Sequence, residues 1–284
     1  MTGGAVTVLT HQRPAQTAAA VHALIEAAER NGVVLHFDED EARKHGLTSR
    51  PGVVETNVPI STDVALCVVL GGDGTILRAL RLYMGTEVPV FAVNFGEVGF
   101  LATIEPDGLD DAFDRAFAGE FELLHLPALT VVGIDGEQSA INDVSIHRKV
   151  GERVALLAYA IDGEEVGRVR CDGLVIATPA GSTGYNLANG GPVLAWGVEG
   201  YVVSFIAPHS LAARSLVVAP GNELTVHNRS LEPVTVSVDG RPAGELRPAQ
   251  ALSACFVDAV ATLAQIPGSS FYRRLREKFG RLSA

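Results

Sequence analysis

The sequence predicts two domains of different class, an N-terminal Rossmann-like α/β domain followed by a C-terminal all-β domain of the β-sandwich kind. Three observations carry that expectation. Apolar runs of strand length alternate with helical periodicity up to about residue 120, helical periodicity then nearly vanishes, and 284 residues is the length of roughly two domains. The α/β domain is expected over residues 1–120 and the sandwich over 121–267, with a closing helix at 268–284 packing back on the first domain.

The first strand is Ala5–Thr10, an uninterrupted apolar run of the type a parallel sheet buries on both faces. Val21, Leu24, Ile25 and Ala28 then recur at helical spacing, and Asn31-Gly32 closes that helix. Val33–Asp38 reads as the second strand. The polar stretch from Asp38 to Gly52 has no apolar period and is expected to be a mobile loop. Strand Val64–Leu70, a helix over Thr75–Tyr83, strand Val88–Val93 and a short helix near Leu109–Phe117 complete the alternation.

From Phe121 the pattern changes to strands, at Ala128–Ile134, Gln138–His147, Arg153–Ile161, Glu165–Arg170, Leu174–Thr178, Glu223–His227 and Val234–Val238. Asp135-Gly136, Asp162-Gly163 and Asp239-Gly240 stand where hairpin turns need positive φ. Phe271, Leu275, Phe279 and Leu282 make the last segment an amphipathic helix with apolar surface to cover.

Composition excludes several classes. With 47% hydrophobic and 19% charged residues the chain carries enough apolar surface to fold, unlike disordered chains. Its 22 Lys+Arg against 33 Asp+Glu leave a net charge of −11, which argues against nucleic acid or an anionic membrane as partner. An anionic ligand must therefore be held by local groups. Cys67, Cys171 and Cys255 are too scattered for a disulfide framework or a C-x-x-C pair and are expected to be buried thiols. No basic flank precedes an apolar core at the N-terminus, and the charge-free run Gly173 to Val198 is too rich in Gly, Pro, Asn and Ser for a membrane helix. A cytoplasmic location is expected.

P-loop, three-glycine dinucleotide fingerprint, G-x-S-x-G and H-E-x-x-H patterns are all missing from the sequence. The sharp signal is Leu70-Gly71-Gly72-Asp73-Gly74-Thr75, where a buried strand runs into three glycines around one carboxylate and then into a helix. Glycines let main chain approach a ligand, and the free N–H groups of the helix start attract phosphate. Asp73 in such a place either caps the helix or takes a proton from an attacking hydroxyl or binds a cation among phosphates. A second signal is the long segment Arg170 to Pro192, dense in glycine and small hydroxyl residues with Tyr185 as its one aromatic. The pair Asn142-Asp143 is a third, two polar side chains inside a strand-like run.

In this order, the glycine–aspartate loop Gly71–Thr75, the segment Asn94–Leu101, the pair Asn142-Asp143, the stretch Asp172–Pro192 and Pro208-His209-Ser210-Leu211 resemble the bacterial NAD kinase family, most closely from about residue 64 to 215. The resemblance implies ATP-dependent phosphorylation of the 2′-hydroxyl of the adenosine ribose of NAD, giving NADP, with a divalent metal such as Mg²⁺, in a homodimer or homotetramer. It implies Asp73 as proton acceptor and Gly74 as a backbone contact in the same site. Asn142 and Asp143 would contact the dinucleotide, Arg170 and Asp172 would flank it, and Thr183, Gly184, Tyr185, Asn186, Leu187 and Ala188 would close the adenosine pocket. Arg78 and Arg153 match positions that often carry a ligand-binding side chain, and Arg241 does so less closely.

Departures from the family pattern are small. Asp143 stands where glutamate is usual, Gly184 where alanine is usual, and Ser215 where proline is usual. Two other readings share parts of the pattern: a lipid or sugar kinase with the same glycine–aspartate loop, and a non-catalytic NAD(P)-binding sensor. The first leaves Thr178–Pro192 without a purpose, and the second has no use for a base at Asp73.

Overall fold

A computed structural model describes residues 4–96, 99–102, 104, 106, 108–268 and 270–280. The chain divides into two compact units, one comprising residues 1–125 and 260–284 and the other Leu126–Ala259. No described helix is long and apolar enough to cross a membrane.

Unit 1 alternates strand and helix. Strand β1 (Ala5–Thr10) leads to helix α1 (Ala18–Asn31), which ends at Gly32 with φ 64°. Strand β2 (Val34–Phe37), helix α2 (Glu39–His45), strand β3 (Val54–Thr56), strand β4 (Leu66–Gly71), helix α3 (Asp73–Leu82), strand β5 (Val90–Asn94) and helix α4 (Leu109–Ala118) follow. The strands lie parallel in the order β3-β2-β1-β4-β5, so the chain reverses its direction of winding between β1 and β4. Val6, Val8, Val68, Leu70, Phe91 and Val93 pack on one face with Leu24 and Ala28 of α1 and Phe113 and Phe117 of α4. Residues one step along, Thr7, Leu9, Cys67 and Val69, are also buried and point to the other face, the side that α3 covers with Ile76 and Leu80.

Where the polar stretch after Asp38 suggests a loop, α2 forms. Asp38 caps it by accepting from the Glu41 N–H at 2.7 Å, three acids fill the first turn, three basic residues fill the last, and Gly46 ends it at φ 62°. Cap and dipole complementarity, not an apolar stripe, specify this helix.

Unit 2 is a pair of sheets. Strand β6 (Glu122–Ile134) leads into it, followed by β7 (Gly136–Ala140), β8 (Asp143–Arg148), β9 (Ala155–Ile161), β10 (Glu164–Cys171) and β11 (Gly173–Ala177). The short helix α5 (Tyr185–Ala188) precedes β12 (Tyr201–Ile206), β13 (Leu216–Val218), β14 (Leu224–Asn228), β15 (Val234–Val238), β16 (Arg241–Leu246) and β17 (Ala251–Gln265). One sheet runs β10-β9-β14-β17-β6-β7, and the other runs β13-β12-β11-β8-β15-β16 with every pair antiparallel. Leu129, Leu157, Val169 and Val226 of the first meet Ile146, Leu174, Ile176, Val203 and Val236 of the second in one buried core. The turns at Asp162-Gly163 and Asp239-Gly240 have positive φ at both residues, as their sequence requires, whereas at Asp135-Gly136 only the glycine does.

Three further expectations change. Gln138–His147 is not one strand, because the chain breaks its ladder at Ile141-Asn142 between β7 and β8. Residues 121–125 and 260–267 fall in unit 1, the latter because Leu263 and Ala264 of β17 pair parallel with Val90 and Phe91 of β5. Cys67 and Cys171 are buried, but Cys255 is only half-buried, with its Sγ toward the Glu223 carboxylate. The closing helix, α6 (Phe271–Phe279), lies in unit 1, with Phe271 buried and Arg274 Nη1 donating to the Phe100 carbonyl at 2.6 Å. Leu282 and the side chain of Phe279 lie outside the described residues.

Candidate active site

The glycine–aspartate loop connects β4 to α3 at the carboxyl end of the parallel sheet, next to the point where the winding reverses. That crevice is where open α/β sheets bind ligands. Here it is a cleft of about 320 Å³ lined by Thr10, His11 and Gln12 after β1 and by Gly72, Gly74, Thr75 and Arg78 after β4. Gly74 and Thr75 bring the first turn of α3 to its wall, where the Thr75 N–H donates to the Gly72 carbonyl at 2.9 Å and the N–H groups before it precede the helix's own ladder.

Two close approaches fix the loop. A side chain on Gly72 or Gly96 would strike the other's Cα, at 3.1 Å and 2.7 Å, so the loops after β4 and β5 meet backbone to backbone. The Phe95 N–H donates to the Gly71 carbonyl at 3.1 Å and locks that contact. Of the motif Asn94–Leu101, Glu97 and Val98 lie outside the described residues.

Asp73 is the first residue of α3, not its cap, which is Gly72. Its half-buried carboxylate reaches the loop after β5, where Oδ2 accepts from the Phe100 N–H at 3.2 Å and Oδ1 from the Leu101 N–H at 3.0 Å. Each oxygen keeps a further lone pair for a ligand hydroxyl. Arg78, one turn along α3, stands at the side of the cleft with its guanidinium 3.7 Å from the buried Glu41 carboxylate and 3.9 Å from Asp38. Glu41 in turn accepts from Thr10 Oγ1 at 2.6 Å and Lys44 Nζ at 2.8 Å.

In unit 2 the break between β7 and β8 puts Asn142 and Asp143 at the start of β8. Thr178 ties them to the small-residue segment: its N–H donates to the Asn142 carbonyl at 2.9 Å, its Oγ1 donates to the Ile141 carbonyl at 2.6 Å, and the Gly181 N–H donates to that Oγ1 at 3.1 Å. The side chain of Asn142 keeps a buried Oδ1 with no protein partner. Asp143 shares the outward face of β8 with Ser145 and His147, since Val144 and Ile146 turn into the core. Tyr185 stacks on His147 with centroids 5.6 Å apart and planes 26° off parallel, and Thr183 Oγ1 donates to the Ala180 carbonyl at 3.0 Å. Gly184 and Ala188 are exposed and Leu187 half-buried.

Asn186 is different. It is fully buried, donates to the Ser182 and Pro192 carbonyls at 2.9 Å each, and accepts from Ser204 Oγ at 2.6 Å. These side-chain bonds are all internal and hold the segment's shape.

The Asp143 carboxyl is pushed up to about 7, first by burial and second by the like charge of Asp239. A native carboxyl above its unfolded value binds a proton that the unfolded chain has released. Its contribution is therefore intact below about pH 4 and lost as pH rises toward 7. Asp143→Asn should gain on the parent protein by on the order of 2 kcal/mol between pH 5.5 and pH 8. Urea unfolding of both at the two pH values measures this, and a pH-independent gap would contradict it.

Arg153, Arg170 and Asp172 gather at the far end of β8, about 17 Å from Asp143 by strand geometry. There Arg148 Nε pairs with Asp172 Oδ1 at 2.6 Å. Arg153 and Arg170 line a cleft of about 890 Å³ with Arg148 and Arg229, and neither makes an ion pair among the described residues. Glu152 and Glu232 share the lining, so the four arginines are partly offset by carboxylates there. Arg148 and Arg229 were not legible as members, because only the β8, β10 and β14–β15 registers bring them together. Arg241, exposed at the start of β16, adjoins the Asp239-Gly240 turn.

Family models match both halves of the chain, the ATP-NAD kinase N-terminal domain over residues 10–121 and the ATP-NAD kinase C-terminal domain over residues 141–259. The chain belongs to the ATP-NAD kinase family. The NAD kinase of Gemmatimonas aurantiaca is 36% identical to it over 226 residues, 77% of this chain and 78% of the relative. The NAD kinase of Lachnoclostridium phytofermentans is 34% identical over 269 residues, 90% and 92% of the two chains. Among solved structures, yeast NADH kinase complexed with NADH superposes with a TM-score of 0.85 at 24% identity, over 99% of this chain and 89% of that one. An NAD kinase from Archaeoglobus fulgidus in complex with ATP gives 0.71 at 24% identity, over 98% of both chains. These two share the ATP-NAD kinase fold described above, and the family match extends the resemblance on both sides of residues 64–215.

Proposed function

We infer that this chain is an NAD kinase that transfers the γ-phosphate of ATP to the 2′-hydroxyl of the adenosine ribose of NAD, releasing NADP and ADP. The observation that carries the reading is Asp73, a carboxylate fixed by two backbone N–H groups beside a glycine loop, a helix N-terminus and an arginine. In the transfer the 2′-oxygen bonds to the γ-phosphorus while the bond to the β,γ-bridging oxygen breaks, and the hydroxyl proton goes to Asp73. A carboxylate is a weak base at neutral pH, so its service is to orient the hydroxyl and accept the proton late.

Gly74 and the first turn of α3 receive phosphate oxygens, and Arg78 supplies the neighbouring positive charge. Asn142 and Asp143 hold the dinucleotide, the first through its free Oδ1. Thr183, Gly184, Tyr185, Leu187 and Ala188 line the adenosine pocket, with Asn186 holding their backbone from behind. Arg153 and Arg170 take the remaining negative charge of the dinucleotide, and Asp172, paired with Arg148, flanks it. The divalent metal, such as Mg²⁺, arrives on the triphosphate as part of the substrate. The reading places the enzyme in the cytoplasm as a homodimer or homotetramer.

Incubation with NAD, ATP and Mg²⁺, with NADP read by a dehydrogenase that accepts only the phosphorylated dinucleotide, tests it. NADP should accumulate. Thermal stabilisation by NAD(P) without NADP would favour a sensor, and phosphorylated diacylglycerol in place of NADP would favour a lipid kinase.

A further inference from the structure

We propose that Asp239 is a positioning residue for the dinucleotide, its carboxylate forming the anchor that presents Asn142 and Asp143. The inference rests on the NAD kinase reading of that pair.

Where β7 stops and β8 begins, three consecutive backbone N–H groups lose their ladder partners. All three converge on Asp239. Its Oδ1 accepts from the N–H of Asn142 at 2.8 Å and of Asp143 at 3.2 Å, and its Oδ2 accepts from the N–H of Ile141 at 3.2 Å. In return the Asp239 N–H donates to the Asp143 carbonyl at 2.8 Å. The two segments thus hold each other through four hydrogen bonds, three of them to a charged acceptor.

A turn residue alone would not need to be this one. The Asp239-Gly240 turn, with φ 48° and 71°, is served as well by Asn-Gly, which carries no charge. Asp239 is instead a carboxylate only 9% exposed, set beside a second buried carboxylate, Asp143. That arrangement carries a like-charge penalty, and three N–H donors offset it. An amide would fail there, because its nitrogen side would confront a backbone N–H and leave it unpaired. The geometry thus requires an acceptor at both oxygens, and what it fixes is the backbone that aims Asn142 and Asp143 at their ligand.

Two variants of the full chain, Asp239→Asn and Asp239→Glu, test this. The first removes the second acceptor, and the second keeps the charge but sets it one methylene further out. Each is expected to raise the KM for NAD by about tenfold or more, the scale of losing charged hydrogen bonds. The KM for ATP should stay within about twofold of the parent value, since losing the anchor displaces only the Asn142-Asp143 backbone. Parent-like KM for NAD in a folded variant overturns the proposal, as does an equal rise in both KM values. Failure of both variants to fold makes Asp239 a residue of the fold alone and overturns it too. If the parent protein itself makes no NADP, the function proposed above falls first, and that result is seen without any variant.

Discussion

Asp73→Asn should lower kcat by at least about a hundredfold, the lower range for losing a general base, while NAD still binds. The two carboxylate oxygens of Asp73 are held by the Phe100 and Leu101 N–H groups, so the side chain is already oriented before substrate arrives. Asparagine matches its size and can still accept one of those bonds. It cannot take a proton, and its amide nitrogen would oppose the other N–H, turning the group from its bearing. The pair Asn142-Asp143 and the Thr183–Ala188 segment belong to the other unit. Steady-state kinetics with an NAD titration by calorimetry separate the two effects. Turnover within a few-fold of the parent would remove Asp73 from the proton's path.

The second large effect is expected at Gly181. A Cβ there would overlap the Asn142 carbonyl and come within 2.8 Å of the Asn142 Cα, and backbone on both sides leaves nothing flexible to yield. Gly181→Ala should therefore destabilise the protein by about 1–3 kcal/mol or more, as overpacking does. It should also weaken NAD binding, because the atoms displaced are those of Asn142. Gly184, three residues on, supplies the contrast. Its φ of −94° is outside the left-handed region, and an added Cβ would meet its nearest neighbour, the Gly181 carbonyl, at an ordinary 3.4 Å. Gly184→Ala, which restores the residue usual in the family, should change stability by no more than about 1 kcal/mol, less than Gly181→Ala. Urea denaturation of the two variants gives the comparison, and equal stabilities would mean that the segments part more easily than their hydrogen bonds indicate.

Local chemistry made most of the framework legible. Strands such as Leu66–Gly71 are apolar throughout because both faces are covered, and the turns at Asp162-Gly163 and Asp239-Gly240 announce themselves because few other pairs tolerate two positive φ values. Helix α2 escaped because its information lies in Asp38, Gly46 and the order of its charges, which a search for apolar period passes over. The break at Ile141-Asn142 was hidden inside a strand-like run, since what ends the ladder is a carboxylate almost a hundred residues later. For the same reason Asp239 read only as a turn, and the bonds of Asn186 to Ser182, Pro192 and Ser204 were not visible. The glycine–aspartate loop was plain, because glycine and a lone acid at a strand end have few other uses. Its partner N–H groups at Phe100 and Leu101 carry no side-chain signature at all.

The return of β17 to pair with β5 has a bearing on how the chain is made. When residue 125 leaves the ribosome, the outer edge of β5 at Val90 and Phe91 is still open, and its partners Leu263 and Ala264 have yet to be translated. An open apolar edge is a hazard for aggregation. The first half of the nascent polypeptide must therefore wait, its sheet unclosed, until the whole of the intervening sandwich has been synthesised, and any premature stop before the last two dozen codons leaves it waiting for good.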